Sequence, residues 1–247
     1  MLLTPVAHIR SPYKQKFAIP RQPNLVPQAL GEVVFEPGFA DANILRGLEA
    51  FSRLWLIFGF HATASEGWSA TVTPPRLGGT TRVGVFATRS TYRPNPLGLS
   101  VVEFVGVEQR GSTLILRVSG IDLLDGTPIY DIKPYVPYAD AWPDASGAYA
   151  DSAPASDLQV VFTDAANLDL ETVRGSHPAL AEFIISVLQQ DPRPAQHVRQ
   201  HSEREFGMYL DDFNVRWQVS DQVCSVLSVK LRSPEPQTVS GEDHARD

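Results

Sequence analysis

Residues Gly84 to Ser100 read GVFATRSTYRPNPLGLS, in which Arg89 and Arg93 alternate with Ser90, Thr91, Tyr92 and Asn95 around Pro94 and Pro96. Proline fixes the backbone, so two guanidinium groups on such a loop lose little entropy when they grip a carboxylate or phosphate. A surface turn with solvated arginines is the plain alternative. A second segment, Ser119 to Asp140, reads SGIDLLDGTPIYDIKPYVPYAD and carries Asp122, Asp125, Asp131, Lys133, Tyr130, Tyr135 and Tyr138. Ionised carboxylates only accept hydrogen bonds, which suits a ligand's hydroxyl or amino groups. Asp125 before Gly126 is equally an ordinary turn former, and tyrosines among prolines either stack a base or fill a core. A third stretch, Arg10 to Pro23 (RSPYKQKFAIPRQP), mixes Lys14, Lys16 and Arg21 with Tyr13 and Phe17. Such a mixture tracks a nucleic-acid backbone or forms a solvated arm.

Other patterns argue against whole classes of chemistry. His197 and His201 in HVRQH have the spacing of a zinc pair on a helix, but the HExxH glutamate and a third ligand are missing, so no metal is expected. Neither GxxxxGK[ST], GxGxxG nor GxSxG occurs, which removes the usual support for nucleotide hydrolysis and dinucleotide binding. His61 follows an apolar strand and is as readily a strand end as a functional group.

These segments need a scaffold. The chain has 247 residues, 43% apolar and 20% charged, with 20 prolines and 17 glycines. That balance permits a core and disfavours an all-helical fold. Leu3 to Ile9 and Gly31 to Phe35 read as strands, and Asp41 as the cap of a short helix bearing Ile44, Leu45, Leu48 and Phe51 on one face. RLWLIFGF is apolar throughout, as a strand buried on both faces is, and RVGVFAT, LSVVEFVGVEQ and STLILRVSG follow as further strands. Closely spaced strands without long helices predict a mainly β protein built on a small antiparallel β-barrel. Asp140 to Asp157 reads as a linker, leading to a smaller α+β carboxy-terminal domain. In that domain Ser176 caps a helix with Leu180, Phe183, Ile184, Val187 and Leu188 on one stripe, and strands lie near FGMYL, NVRWQV and VCSVLSVKL. The expected boundaries are 1–150 for the barrel, 151–235 for the second domain and 236–247 for a frayed tail.

Net charge is −7, yet residues 1–110 hold 11 basic and 7 acidic side chains, a balance of +4, whereas the remainder holds 10 and 21, or −11. An anion is therefore sought in the first half. The longest apolar run, Leu54 to Phe60, is too short to span a bilayer. The amino terminus lacks the features of an export signal, and the lone Cys224 sits in an apolar alternation as a small hydrophobe. A cytoplasmic protein without membrane contact is expected.

In order along the chain, RSPYKQKFAIPRQP, PPRLGGTTRVGVFATRSTYRPNPLGLS, DLLDGTPIYDIKPYVPYAD, DPRP and DFNVRW resemble the motifs of the TsaA, or TrmO, family of S-adenosylmethionine-dependent tRNA (adenine-N6)-methyltransferases, in its longer bacterial form. The resemblance spans about Val6 to Leu231. It implies a β-barrel and a homodimer with cofactor sites near the subunit contact. It further implies that S-adenosylmethionine is bound by Pro20, Arg21 and Gln22, by His61, by Arg89 and Leu99, and by Asp122, Leu123, Leu124 and Asp125. Arg89 is the expected partner of the cofactor's carboxylate, Leu99 of its adenine, and an aspartate of a ribose hydroxyl or the sulfonium.

The family's reaction methylates the exocyclic nitrogen of N6-threonylcarbamoyladenosine beside the anticodon of threonine tRNA. Asp131 or Tyr135 is the expected proton acceptor, with Lys133 an alternative partner for the threonyl carboxylate. Lys14, Lys16, Arg76, Arg82, Arg93 and Asn95 are expected at the anticodon loop. The sequence also admits a barrel that binds S-adenosylmethionine as a sensor or adaptor without turnover, and a methyltransferase of small molecules. All three readings require the cationic turn and the acid-bearing turn to converge on one cleft.

Overall fold

The computed structural model describes residues 2–153, 158–193, 198 and 204–232. The histidine pair His197 and His201 and the tail 236–247 lie outside the described residues. Strand alternation builds the first unit. Six strands, β1 (Ala7–Arg10), β2 (Leu30–Phe35), β3 (Arg53–Gly59), β6 (Leu97–Arg110), β7 (Thr113–Ser119) and β8 (Pro128–Pro134), form a closed barrel in the order β1-β2-β7-β6-β3-β8. Every pairing around it is antiparallel. The short hairpin β4 (Thr71–Val72) and β5 (Val83–Gly84) stands apart as a separate two-stranded sheet.

The barrel is filled by one residue in two from each strand: Ile9, Val33, Leu54, Leu56, Val102, Leu116, Val118 and Ile129 are all at most 1% exposed. Each such aliphatic side chain contributes roughly 2 kcal/mol of transfer free energy before ordering entropy is counted. The expectation that RLWLIFGF is buried on both faces is corrected. Leu54, Leu56 and Phe58 point inward, while Trp55 and Ile57 are only half-buried on the other face. Gly98, opposite Phe58 in the β3–β6 register, lets this arrangement close. A Cβ there would collide with the Phe58 ring and come within 2.9 Å of Phe60 Cζ.

Two other local expectations change. The helix after Asp41 is instead a pair of 3-10 turns, Ala42–Leu45 and Leu48–Ala50, separated by Gly47 at φ 86°. Asp41 still caps, accepting from Asn43 N at 2.9 Å. RVGVFAT yields only β5, because the chain turns at Val85–Ala87.

In the second unit β9 (Gln159–Phe162), β10 (Phe206–Leu210), β11 (Phe213–Ser220) and β12 (Val223–Leu231) order as β10-β11-β12-β9, with β9 parallel to β12. After the short α1 (Pro137–Asp140), the helices are α2 (Asp164–Val173), which packs on β12, and α3 (Leu180–Leu188). All five stripe residues of α3 are buried. Ser176 does not cap α3, whose N-cap is Ala179; its hydroxyl donates to Val173 O at 3.1 Å beyond the end of α2. Tyr13, wholly buried, joins the units: it forms an isolated bridge with Leu210 and its ring centroid lies 6.1 Å from that of Phe183.

Candidate functional site

Four chain segments meet at one mouth of the barrel and enclose a cleft of about 800 Å³. They are residues 16–23 after β1, the end of β3 with 60–63, the loop 88–93 leading into β6, and residues 122–127 between β7 and β8. The volume suits a small-molecule ligand. Trp55, Ile57, Phe60, Leu97 and Leu99 supply apolar wall, and Leu99 is 53% exposed toward it.

Two charges of opposite sign flank this wall. Arg89 Nη1 donates to Gln22 Oε1, a neutral partner, which leaves further N–H donors of the guanidinium for a ligand. Asp122 presents Oδ1, closed to solvent and without a hydrogen-bond partner. Burial pushes the Asp122 pKa up to about 6; the Ser100 hydroxyl, its own backbone and the charge of Arg89 pull it back. A buried carboxylate oxygen with no donor is costly, and a ligand amine or hydroxyl relieves that cost. This orphaned oxygen, with the free capacity of Arg89, fits an amino-acid-bearing nucleoside such as S-adenosylmethionine.

His61 also lines the cleft. Desolvation lowers its pKa, a hydrogen bond to the Gly59 backbone opposes this, and the charges of His8 and Lys16 add to the lowering, which favours the neutral imidazole. At the rim Glu66 accepts from Tyr92 Oη at 2.8 Å and pairs with Lys16 Nζ at 3.2 Å, linking the amino-terminal arm to the proline loop. These two bonds, that of Tyr92 first, hold the Glu66 carboxyl below its ordinary range.

The profile of the tRNA-methyltransferase O N-terminal domain matches residues 8–141, and that of the TrmO C-terminal domain matches residues 155–232. The chain belongs to the TrmO family. It is 50% identical over 224 residues to the tRNA (adenine(37)-N6)-methyltransferase of Escherichia coli (strain K12), covering 91% of this chain and 95% of that protein. It is 40% identical over 136 residues, 55% of this chain and 68% of the other, to a probable S-adenosyl-L-methionine-binding protein of Pyrococcus abyssi. Its fold superposes on a crystal structure of TrmO from Pseudomonas aeruginosa with TM-score 0.75 and 39% identity, covering 93% of this chain and 98% of that one.

In this TrmO-family chain the cleft brings together Lys16, Pro20, Arg21, Gln22, His61, Arg89, Arg93, Leu99, Asp122, Leu123 and Leu124. The cationic and acid-bearing turns thus share one cavity. Asp125 does not line it: Oδ1 accepts from Ser11 N at 2.8 Å and Oδ2 pairs with Lys14 Nζ at 2.9 Å, which occupies Lys14 as well. Arg93 lines the cleft yet braces its own loop, donating to Thr88 O at 3.1 Å and Ser90 O at 3.3 Å, with its Cζ 5.9 Å from the Phe86 ring centroid. Asn95 and Arg76 are exposed outside the cleft. Arg82 is exposed in the β4–β5 hairpin and donates to Thr71 Oγ1 at 2.6 and 2.9 Å.

Asp131 and Lys133 pair with each other at 3.0 Å on β8, opposite Ile57 and Trp55 of the cleft wall in the β3–β8 register. The Tyr135 ring lies 5.9 Å from that of Trp55. These three residues therefore border the cleft wall without lining the cavity. Sequence reasoning missed Trp55, Ile57 and Phe60 as site residues. The signal was the alternation of large and small exposure along β3, which an unbroken apolar run hides. Among the described residues no group of three or more His, Cys, Asp or Glu is placed to hold a metal ion, and no helix is long and apolar enough to cross a membrane.

Proposed function

We propose that this chain transfers a methyl group from S-adenosylmethionine to the exocyclic N6 of the tRNA adenine beside the anticodon, with N6-threonylcarbamoyladenosine of threonine tRNA as its substrate. The single observation that carries the reading is that Arg89 and Asp122, whose Oδ1 is buried without a partner, line one apolar cleft in a TrmO-family chain. The relatives named tRNA (adenine(37)-N6)-methyltransferase support the choice of reaction.

When bound, S-adenosylmethionine supplies an electrophilic methyl on a sulfonium that is already a good leaving centre. The chain's own work is to align and desolvate. Arg89 pairs with the amino-acid carboxylate and Gln22 orients the guanidinium. Asp122 accepts from the ligand's amine or ribose hydroxyl, and Leu99 packs against the adenine while Leu97, Ile57 and Phe60 exclude water. Asp131 or Tyr135 would accept the proton that the target nitrogen loses on methylation, and Lys133 would fix the threonyl carboxylate. Lys16, Arg76, Arg82 and Asn95 serve the anticodon loop's phosphates and sugars, while Lys14 and Arg93, expected there too, are taken up by Asp125 and by the loop backbone.

Asp131, Lys133 and Tyr135 border the cleft wall from the outward face of the barrel, where a second copy of the chain best completes the site. Val105 and Val107 of β6, outside the cleft lining, are exposed for such a homodimer contact. The barrel spans 1–150 and the smaller α+β domain 151–235, and the protein works in the cytoplasm.

Incubation with methyl-labelled cofactor and tRNA bearing or lacking the threonylcarbamoyl group tests the function. Label is expected in the modified threonine tRNA alone. Tight cofactor binding with no label in either RNA would leave a sensor or adaptor, and label in a small molecule instead would make the tRNA assignment wrong.

A further inference from the structure

Among the described residues two buried side-chain atoms lack a hydrogen-bond partner, Tyr13 Oη and Asp122 Oδ1. One is a donor and the other belongs to an acceptor-only group when ionised. Orphaned buried polar atoms are uncommon, and two of complementary type in connected segments call for an account. The segments are stitched together. Ser11 Oγ donates to Leu123 O at 2.7 Å, Tyr13 N donates to Ser11 Oγ at 3.1 Å, and Asp125 N donates to Tyr13 O at 2.9 Å. Residues 11–13 therefore back the loop whose Asp122, Leu123 and Leu124 line the cleft.

The far side of the same segment is held by the carboxy-terminal unit. Asp211 N donates to Pro12 O at 2.7 Å, Tyr209 N donates to Gln15 Oε1 at 3.3 Å, and the Tyr13 ring meets Phe183 of α3. The charge of Asp122 reaches the phenol, whose pKa burial first and that charge second push above the ordinary tyrosine range.

We propose that Tyr13 is a positioning residue of the cofactor site, its phenol reaching the Asp122 carboxylate across one buried water, and that the carboxy-terminal unit acts on cofactor affinity through it. The inference rests on the reading of the cleft as the S-adenosylmethionine site. Tyr13 touches no reacting atom. It keeps Asp122 ionised and aimed, so that a carboxylate costly to bury still meets the ligand as an anion.

The test uses the full chain and S-adenosylhomocysteine, titrated calorimetrically, with thermal midpoints measured alongside. Tyr13→Phe keeps the ring contact with Phe183 and the backbone bridge to Leu210 but removes the hydroxyl. A purely structural phenol without a partner predicts an unchanged or higher midpoint and unchanged affinity. The proposal predicts affinity weakened about tenfold, with a midpoint that falls because the Asp122 carboxylate loses its donor. Equal affinity in variant and parent overturns it. A double-mutant cycle guards against a folding defect: in an Asp122→Asn background, Tyr13→Phe is expected to cost no further affinity, and an undiminished cost there overturns the coupling. Failure of the parent itself to bind S-adenosylhomocysteine overturns the cofactor reading, and the inference with it.

Discussion

Lys14 Nζ lies 2.9 Å from Asp125 Oδ2, while Asp125 Oδ1 takes the backbone N–H of Ser11 at 2.8 Å. Two aspartates three positions apart thus do opposite work. Asp125 spends both oxygens on fastening the amino-terminal segment to the β7–β8 loop, and Asp122, which lines the cleft, keeps one oxygen buried and unpartnered. Asp125→Ala leaves the Ser11 N–H without its acceptor and Lys14 without its counter-ion. A loss of about 1–3 kcal/mol of stability is expected by denaturant unfolding, whereas a loss below 0.3 kcal/mol makes the fastening unimportant.

Asp122 carries a pH signature. Its folded pKa, about 6, lies above the ordinary 3.8, so the native state binds the proton more tightly than the unfolded chain does. Its contribution to stability therefore falls as pH rises between those values. Asp122→Asn is expected to be more stable than the parent above pH 6, by about 1–3 kcal/mol, with the difference vanishing below pH 4. Thermal melts across pH 3.5–7.5 check this; a constant offset at all pH values contradicts it.

Arg89 reaches its cleft partner Gln22 at the protein surface, so little of the fold depends on it. Arg89→Ala is expected to weaken S-adenosylhomocysteine binding about tenfold or more, to alter tRNA binding less, and to leave the melting temperature within about 1 °C. Equal cofactor affinity in variant and parent removes Arg89 from the site.

The hairpin arginines face solvent and act at longer range. Arg76→Ala and Arg82→Ala are each expected to weaken tRNA binding several-fold and to lower the slope of log affinity against log salt by about 0.7–0.9. An unchanged slope in both variants places the RNA elsewhere on the surface.

For the border of the cleft wall, steady-state kinetics on modified tRNA separate the roles. Loss of the proton acceptor through Asp131→Asn or Tyr135→Phe is expected to lower kcat about 100-fold with little change in KM, and Lys133→Ala to raise KM. No change in kcat for either acceptor variant dismisses both candidates.

The barrel's strands were legible because they rest on short-range signals, whereas the convergence of the two turns on one cleft followed from the resemblance to the TrmO family. Alternating strands, turn residues and a proline-stiffened loop each announce themselves within about ten residues. What stayed hidden is tertiary. Trp55 and Ile57 belong to an unbroken apolar run, and only the barrel's curvature decides which face of β3 borders the cleft. Asp122 and Asp125 are chemically alike and both flank Leu123–Leu124, so their different fates follow from the approach of Ser11 and Lys14, more than a hundred residues away. Gly47 broke the expected helix after Asp41 because its left-handed φ of 86° turns the chain between the two 3-10 segments.

A crystal structure with S-adenosylhomocysteine tests the central claim most directly. The ligand is expected in the cleft with its carboxylate on Arg89, an amine or ribose hydroxyl within hydrogen-bond distance of Asp122 Oδ1, and its adenine against Leu99. Density for the ligand at another place on the barrel, with Asp122 Oδ1 still bare, would contradict the account.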